Sequence, residues 1–144
     1  MSENKLDSQS KTIMLASVIL AEDHVLVRQG LRRIIQEDPG VQVIHEAGDG
    51  EELLDLLIDS TPDVVILDIS MPRLGGLEAA RRIKKHYPQI KIMLLTMHKG
   101  RPFFEEAKEI GVEGYILKDE ADTALNAAIQ AVLEDKTYFS PLLA

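Results

Sequence analysis

Acidic side chains that could hold a metal ion or accept a phosphoryl group stand beside two short apolar runs. Asp68 comes as the run Val64–Leu67 ends, and Glu22 and Asp23 directly follow the run Ser17–Ala21. Short, uninterrupted aliphatic runs are typical of strands buried on both faces, as in parallel sheets covered by helices. Ligands of open α/β sheets bind beyond the carboxyl ends of the strands. The three carboxylates are therefore predicted to face one site.

A hydroxyl and an amine complete the predicted site. Thr96 ends the fourth apolar run and Lys118 follows the fifth. Three carboxylates in close contact would repel one another and raise each other's pKa, and a hard dication such as Mg²⁺ removes that difficulty. The hydroxyl and the ammonium both suit phosphoryl oxygens, as a hydrogen-bond donor and a point charge. Any one of these residues alone is commonly a loop, cap or surface residue, but their order in successive units favours phosphoryl chemistry.

The composition excludes several classes of protein. The 144 residues suit one domain, and the formal charge of −8 makes unaided binding of nucleic acid unfavourable. The absence of cysteine excludes disulfides and thiolate metal sites. No apolar run approaches the ~18 residues of a membrane span. We expect a cytoplasmic protein without a membrane partner.

The elements that would position the site alternate along the chain. The second strand has polar alternation, which places it nearer an edge of the sheet. The pattern predicts an α/β fold, a doubly wound sheet of five parallel strands, because parallel neighbours need helical crossovers. We expect a disordered tail at 1–14, one domain at 15–136, and a linker or C-terminal tail at 137–144. The predicted strands are 17–21, 41–47, 64–67, 90–95 and 114–117, and the predicted helices are 26–37, 51–59, 77–86, 102–110 and 120–134.

Four stretches carry a resemblance to a known family: Ala21–His24, Val65–Gly76, Leu95–Thr96 and Gly114–Asp119. With them, the chain resembles the receiver domain of two-component response regulators from about residue 18 to 133. Thr96–His98 and Tyr115–Asp119 are similar to the NarL/FixJ subfamily, whose output domain is a LuxR-type helix-turn-helix. The resemblance implies a flavodoxin-like fold with strand order 2-1-3-4-5.

The resemblance also implies a role for each residue of the site. Asp68 would be the phosphoacceptor, attacking a phosphohistidine of a partner sensor histidine kinase. Glu22 and Asp23 would hold Mg²⁺, with Asp68 and the backbone carbonyl of Ser70 as further ligands. Lys118 would pair with the phosphoryl group. The protein would assist its own phosphorylation and dephosphorylation without being an enzyme in the usual sense.

The implied signal passes through two switch residues, Thr96 and Tyr115. The Thr96 hydroxyl would turn toward the phosphoryl group, and the Tyr115 ring would rotate into the space behind it. The fourth helix, fifth strand and fifth helix would then change, and Phe103 and Phe104 could make a phosphorylation-dependent homodimer or dock an output domain. The alternative is that both phenylalanines belong to the core and that this face is inert. DNA would be bound only through such a C-terminal domain, for which too few residues follow Lys118. The expected chain is a stand-alone receiver or the N-terminal piece of a longer regulator.

Two other functions compete with this interpretation. Enzymes of the haloacid-dehalogenase type also use an aspartate after a buried strand, but they usually carry a second acid two residues later, where this chain has Ser70. A pseudo-receiver would not be phosphorylated, and the intact set of site residues argues against it. His24 and His98 are not assigned as ligands. Gly75 and Gly76 either permit the turn after Asp68 or have a direct role in the site.

Overall fold

A computed structural model describes residues 15–143, so the predicted tail at 1–14 lies outside the described residues. The core of the fold is a parallel sheet of six strands in the order β2-β1-β3-β4-β5-β6. The predicted order 2-1-3-4-5 is confirmed, with β2 at one edge, and the structure adds a sixth strand beside β5. The strands are β1 (Ala16–Ala21), β2 (Val41–Ala47), β3 (Val64–Asp68), β4 (Lys91–Thr96), β5 (Gly114–Leu117) and β6 (Tyr138–Phe139).

Helices cover both faces of this sheet, as the uninterrupted apolar strands require. One core lies between the sheet and α1 and α5, and the other lies between the sheet and α2, α3 and α4. A short 3-10 turn, Lys118–Glu120, leads from β5 into α5. The helices are α1 (Val25–Ile35), α2 (Gly50–Asp59), α3 (Gly76–His86), α4 (Arg101–Ile110) and α5 (Ala121–Leu133).

Local signals explain the start of α2 and the end of α4. Asp49 precedes α2, and its side chain accepts a hydrogen bond from the Glu52 amide at 2.8 Å, as an N-cap does. The fourth helix ends at Gly111, which has a φ of 93°. That left-handed conformation strains residues with a Cβ and suits glycine, so the stop predicted there has a backbone cause.

The sixth strand lies in the segment 137–144, which the sequence predicts as a linker or tail. Tyr138 and Phe139 pair in parallel with Gly114 and Tyr115 of β5. The Tyr138 amide donates to the Glu113 carbonyl and the Ser140 amide donates to the Tyr115 carbonyl, each at 2.9 Å. Two residues are too few to show a strand period, so the sequence does not indicate this pairing.

Gly76 allows the first turn of α3 to press against the backbone of Asp68. A Cβ at position 76 would lie 2.1 Å from the Asp68 carbonyl oxygen and 2.8 Å from the Ile69 Cα. Both obstacles are backbone atoms, which cannot rotate away. Close packing against this backbone is therefore a reason for glycine at position 76 that differs from both functions considered in the sequence.

We expect Gly76→Ala to destabilise the fold by about 1–3 kcal/mol, the usual cost of overpacking. The matched control is Gly75→Ala, since a Cβ there meets only the Ile69 carbonyl at 3.5 Å. Urea unfolding of both variants measures the difference. Equal midpoints for the two variants would show that the Asp68 backbone yields without cost.

Candidate functional site

Lys118 lies between two carboxylates at the carboxyl ends of the central strands. Its Nζ is 2.6 Å from Oε1 of Glu22 and 3.0 Å from Oδ2 of Asp68. Glu22 is wholly buried and Asp68 is 4% exposed. Charges buried to this degree need a partner of opposite charge, and Lys118 serves both carboxylates. The carboxyl ends of β1, β3 and β5 lie at one edge of the sheet, as predicted, and the side chains there form an ion-paired cluster.

The ionisation of this cluster follows from burial and pairing. Burial raises the pKa of the Asp68 carboxyl, and the hydrogen bond and charge of Lys118 offset only part of that rise. Burial acts in the same direction on Glu22, but the contacts with Lys118 and with His24 outweigh it and lower the Glu22 pKa. Burial disfavours the charged form of Lys118, yet the two carboxylates raise its pKa above the ordinary value. Lys118 is therefore a stable positive charge at this edge.

A second group of ligand atoms lies beside the cluster. One donor atom each from Glu22, Asp23 and His24 lies within 4.8 Å of the others. The Nδ1 of His24 is 3.2 Å from Glu22 Oε2 and 3.4 Å from Asp23 Oδ1. Oδ1 of Asp23 is buried and has no hydrogen-bond partner within residues 15–143. A buried carboxylate oxygen that makes no hydrogen bond of ordinary geometry suits a cation, so the residues present fit a hard divalent ion such as Mg²⁺.

The two predicted switch residues lie on neighbouring strands. Thr96 is wholly buried, and its Oγ1 accepts a hydrogen bond from the His98 amide at 2.9 Å. Tyr115 is wholly buried as well, and its hydroxyl makes no hydrogen bond of ordinary geometry among the described residues. Burial raises the pKa of Tyr115, and the nearby Thr96 hydroxyl opposes the rise. The structure therefore places the Tyr115 ring in the inward position.

Comparison with known proteins identifies the family. Residues 18–130, from β1 into α5, match the family described as response regulator receiver domain. The chain belongs to that family. The resemblance expected from the motifs is confirmed, and with it the class of signalling protein in two-component systems.

The receiver domain is similar to regulators of the LuxR type. It is 36% identical to the response regulator UvrY of Escherichia coli K12 over 126 residues, which are 88% of this chain and 58% of UvrY. The chain thus spans a little over half the length of that relative.

No helix within residues 15–143 has the length and apolarity that a membrane span requires.

Solved structures of receiver domains superpose closely on this one. A two-component response regulator of the LuxR family from Aurantimonas sp. SI85-9A1 has a TM-score of 0.85 at 38% identity, covering 88% of this chain and 91% of the other. The isolated receiver domain of RcsB from Salmonella enterica serovar Typhimurium, solved with the phosphomimetic BeF3⁻, has a TM-score of 0.84 at 30% identity. That match covers 90% of this chain and 96% of the other.

The loop after Asp68 is held from two sides in this receiver domain. The Ser70 amide donates to Oδ1 of Asp68 at 3.3 Å. This contact uses the N–H of Ser70, whereas the family resemblance implies a role for its carbonyl. Arg73 has a φ of 65°, an uncommon conformation for a residue with a side chain. Its guanidinium pairs with Asp49, which lies at the start of α2. The ion pair and the glycine contact described above fix the loop that carries Ser70.

Two phenylalanines of α4 lie in different surroundings. Phe104 is buried, and its ring packs edge-on against Tyr115 with centroids 5.3 Å apart. Phe103 is 36% exposed and contacts the His98 ring. Of these two residues, only Phe103 offers surface to a partner. The expectation that both take part in an outward-facing contact is therefore wrong for Phe104.

Sequence reasoning missed three of the contacts at this site. It assigned Glu22 and Lys118 to separate tasks, whereas the structure pairs them directly. It left His24 unassigned, although the spacing of one and two residues from the acids is visible in the sequence. The pairing of Asp49 with Arg73 has no sequence signal, because the two residues lie in different strand–helix units.

Proposed function

We propose that this receiver domain is a phosphorylation switch that accepts a phosphoryl group on Asp68 from a sensor histidine kinase. The observation that carries the proposal is the buried Asp68 carboxylate at the end of β3 with the Lys118 ammonium 3.0 Å away. The carboxylate is a nucleophile, and the ammonium is a partner for the charge that arrives with the phosphoryl group.

The proposed step is a transfer between two nucleophiles. An oxygen of the Asp68 carboxylate attacks phosphorus, a P–O bond forms, and the P–N bond to the kinase histidine breaks. The imidazole nitrogen keeps the electron pair of that bond, and the product is an acyl phosphate. Attack of water on phosphorus later returns the carboxylate and releases phosphate. Lys118 stabilises the phosphoryl oxygens by a charge-assisted contact in both steps.

The acidic residues would hold the metal ion that this chemistry requires. Glu22 and Asp23 supply oxygen ligands, and Asp68 with the Ser70 carbonyl completes the set expected from the family resemblance. When bound, Mg²⁺ supplies charge neutralisation for the carboxylates and the transferred group. Binding of Mg²⁺ to Glu22 would compete with the ion pair between Lys118 and Glu22, whose atoms lie 2.6 Å apart.

The proposed output passes through the face made by α4, β5 and α5. Phosphorylation adds charge beside Lys118, the Thr96 hydroxyl moves toward it, and Tyr115 holds its inward position. Two existing arrangements of the face change in population, so no new fold is needed. Phe103 on that face would contact a second receiver domain or a LuxR-type output domain, through which DNA would be bound. We place this switch in the cytoplasm, with the kinase as its partner.

Incubation of the purified chain with acetyl phosphate and Mg²⁺ tests this function. We expect a mass increase of one phosphoryl group per chain, lost again on treatment with hydroxylamine, which cleaves acyl phosphates. A phosphorylated histidine kinase domain should transfer its label to the same site. A pseudo-receiver would gain no mass with either donor. A dehalogenase-type phosphatase would release many phosphates per chain with rapid turnover, and either result would refute the proposed switch.

A further inference from the structure

We infer that strand β6 and the residues after it are coupled to the switch residue Tyr115 through the ring of Phe104. The segment from 137 to 143, here named the β6 segment, would then report the state of the phosphorylation site. This inference rests on the proposed function, because it takes Tyr115 as the residue that phosphorylation moves.

Backbone contacts tie the β6 segment to Tyr115 itself. The Ser140 amide donates to the Tyr115 carbonyl at 2.9 Å, and Phe139 is the register partner of Tyr115. Ser140 is 5% exposed, and its hydroxyl accepts a hydrogen bond from the Leu142 amide. The segment is therefore held in the fold at the very residue whose side chain is expected to move.

Side-chain contacts make a second connection between the same residues. The Phe104 ring lies edge-on to Tyr115 at 5.3 Å and edge-on to Phe139 at 5.4 Å. The ammonium of Lys108 lies 5.3 Å from the centre of the Phe104 ring. Phe104 thus bridges Tyr115 and Phe139, and an outward turn of the Tyr115 ring would break its contact with Phe104.

The Tyr115 side chain has a reason to occupy two positions. Its ring is wholly buried, and its hydroxyl lies near the Thr96 hydroxyl without a hydrogen bond of ordinary geometry among the described residues. A buried polar group of this kind is costly, and an outward position would return the hydroxyl to water. A phosphoryl group that draws Thr96 away favours the inward position. The docked β6 segment then belongs with the phosphorylated arrangement, and the segment loosens when Tyr115 turns out.

The two residues of β6 point to opposite faces of the sheet, which provides a matched control. Phe139 packs with Phe104 and Tyr115, whereas Tyr138 packs in the core beneath α1 and α5. Replacing either residue with alanine removes aromatic contact from the same short edge strand. Of the two variants, only Phe139→Ala removes the aromatic connection to the switch, and both keep the backbone hydrogen bond between Ser140 and Tyr115.

Amide hydrogen exchange measured by NMR, with and without beryllofluoride and Mg²⁺, tests the inference. With the mimic, the Ser140 amide should exchange about tenfold more slowly, since the docked segment opens less often. In Phe139→Ala the ratio of the Ser140 exchange rates without and with the mimic should fall to about one. In Tyr138→Ala the Ser140 amide should exchange faster in both states, and the ratio should stay as in the wild-type chain. That difference separates coupling from a merely structural role.

Binding of the mimic is followed separately by fluorine NMR. Bound fluoride with unchanged exchange at Ser140 would overturn the inference and leave the proposed function standing. An unchanged ratio in Phe139→Ala would overturn it as well, since the aromatic bridge would carry no signal. If no fluoride binds, the proposed function fails and this inference falls with it.

Discussion

Asp68→Asn is expected to abolish phosphorylation of the chain by both acetyl phosphate and a histidine kinase. The amide nitrogen and oxygen that replace the carboxylate are poor nucleophiles, so no acyl phosphate forms. Intact-mass measurement should show no added phosphoryl group under conditions that label the wild-type chain to completion. Retention of a hydroxylamine-labile label in this variant would assign the phosphoacceptor to another residue.

The variant should remain folded, which separates loss of chemistry from loss of structure. Burial raises the pKa of Asp68, so the ionised carboxylate lowers the stability of the folded state at pH values above the ordinary pKa of an aspartate. The neutral amide of asparagine does not carry that cost. Asp63→Asn is the matched control, because it makes the same change at the exposed start of β3. Asp63 accepts from the Ser17 amide at 2.8 Å, and an asparagine oxygen can still do so. This control should be labelled as the wild-type chain is.

Asp23→Asn is expected to abolish most of the Mg²⁺-dependent phosphorylation of the chain. The change takes away a charged oxygen ligand whose buried Oδ1 has no hydrogen-bond partner among residues 15–143. Loss of one ligand of a metal site typically weakens binding or activity by at least the roughly 10–100-fold seen for outer-shell partners. Titration with Mn²⁺, followed by its electron paramagnetic resonance signal, measures binding without reference to activity.

The control for this prediction is Asp119→Asn, which makes the same change beside Lys118. Asp119 is exposed and follows the end of β5, so it tests the effect of charge alone at this edge of the sheet. It should bind Mn²⁺ and accept phosphate nearly as the wild-type chain does. Equal phosphorylation of the wild-type chain with and without a chelator would show that the site works without a metal ion.

The position of Asp68 could be predicted because a local pattern determines it. The run from Val64 to Leu67 has no polar residue, so it must be covered on both faces, and the structure buries each residue of β3. The same reasoning applies to Thr96 and Lys118, which end β4 and follow β5. In each case the apolar run shows where the strand ends, and the common direction of parallel strands places that end at the carboxyl edge of the sheet.

Partners across the sheet could not be predicted in this way. Lys118 pairs with Glu22 as well as with Asp68 because the twisted strands bring three ends within reach of one flexible side chain. The choice between Mg²⁺ ligation and ion pairing for Glu22 therefore depends on distances that no spacing in the sequence states. Arg73 and Asp49 illustrate the same limit in the loops.

The sequence by itself thus determined the family, the parallel sheet and the residues that meet at its carboxyl edge. The tertiary structure alone decided that Phe104 is buried between Tyr115 and Phe139, and that Tyr138–Phe139 forms a sixth strand. The reason is the range of the interactions involved. Strand and helix patterns repeat over a few residues and can be read locally. An aromatic ring or a two-residue strand finds its partner only when the packed sheet has placed distant segments side by side.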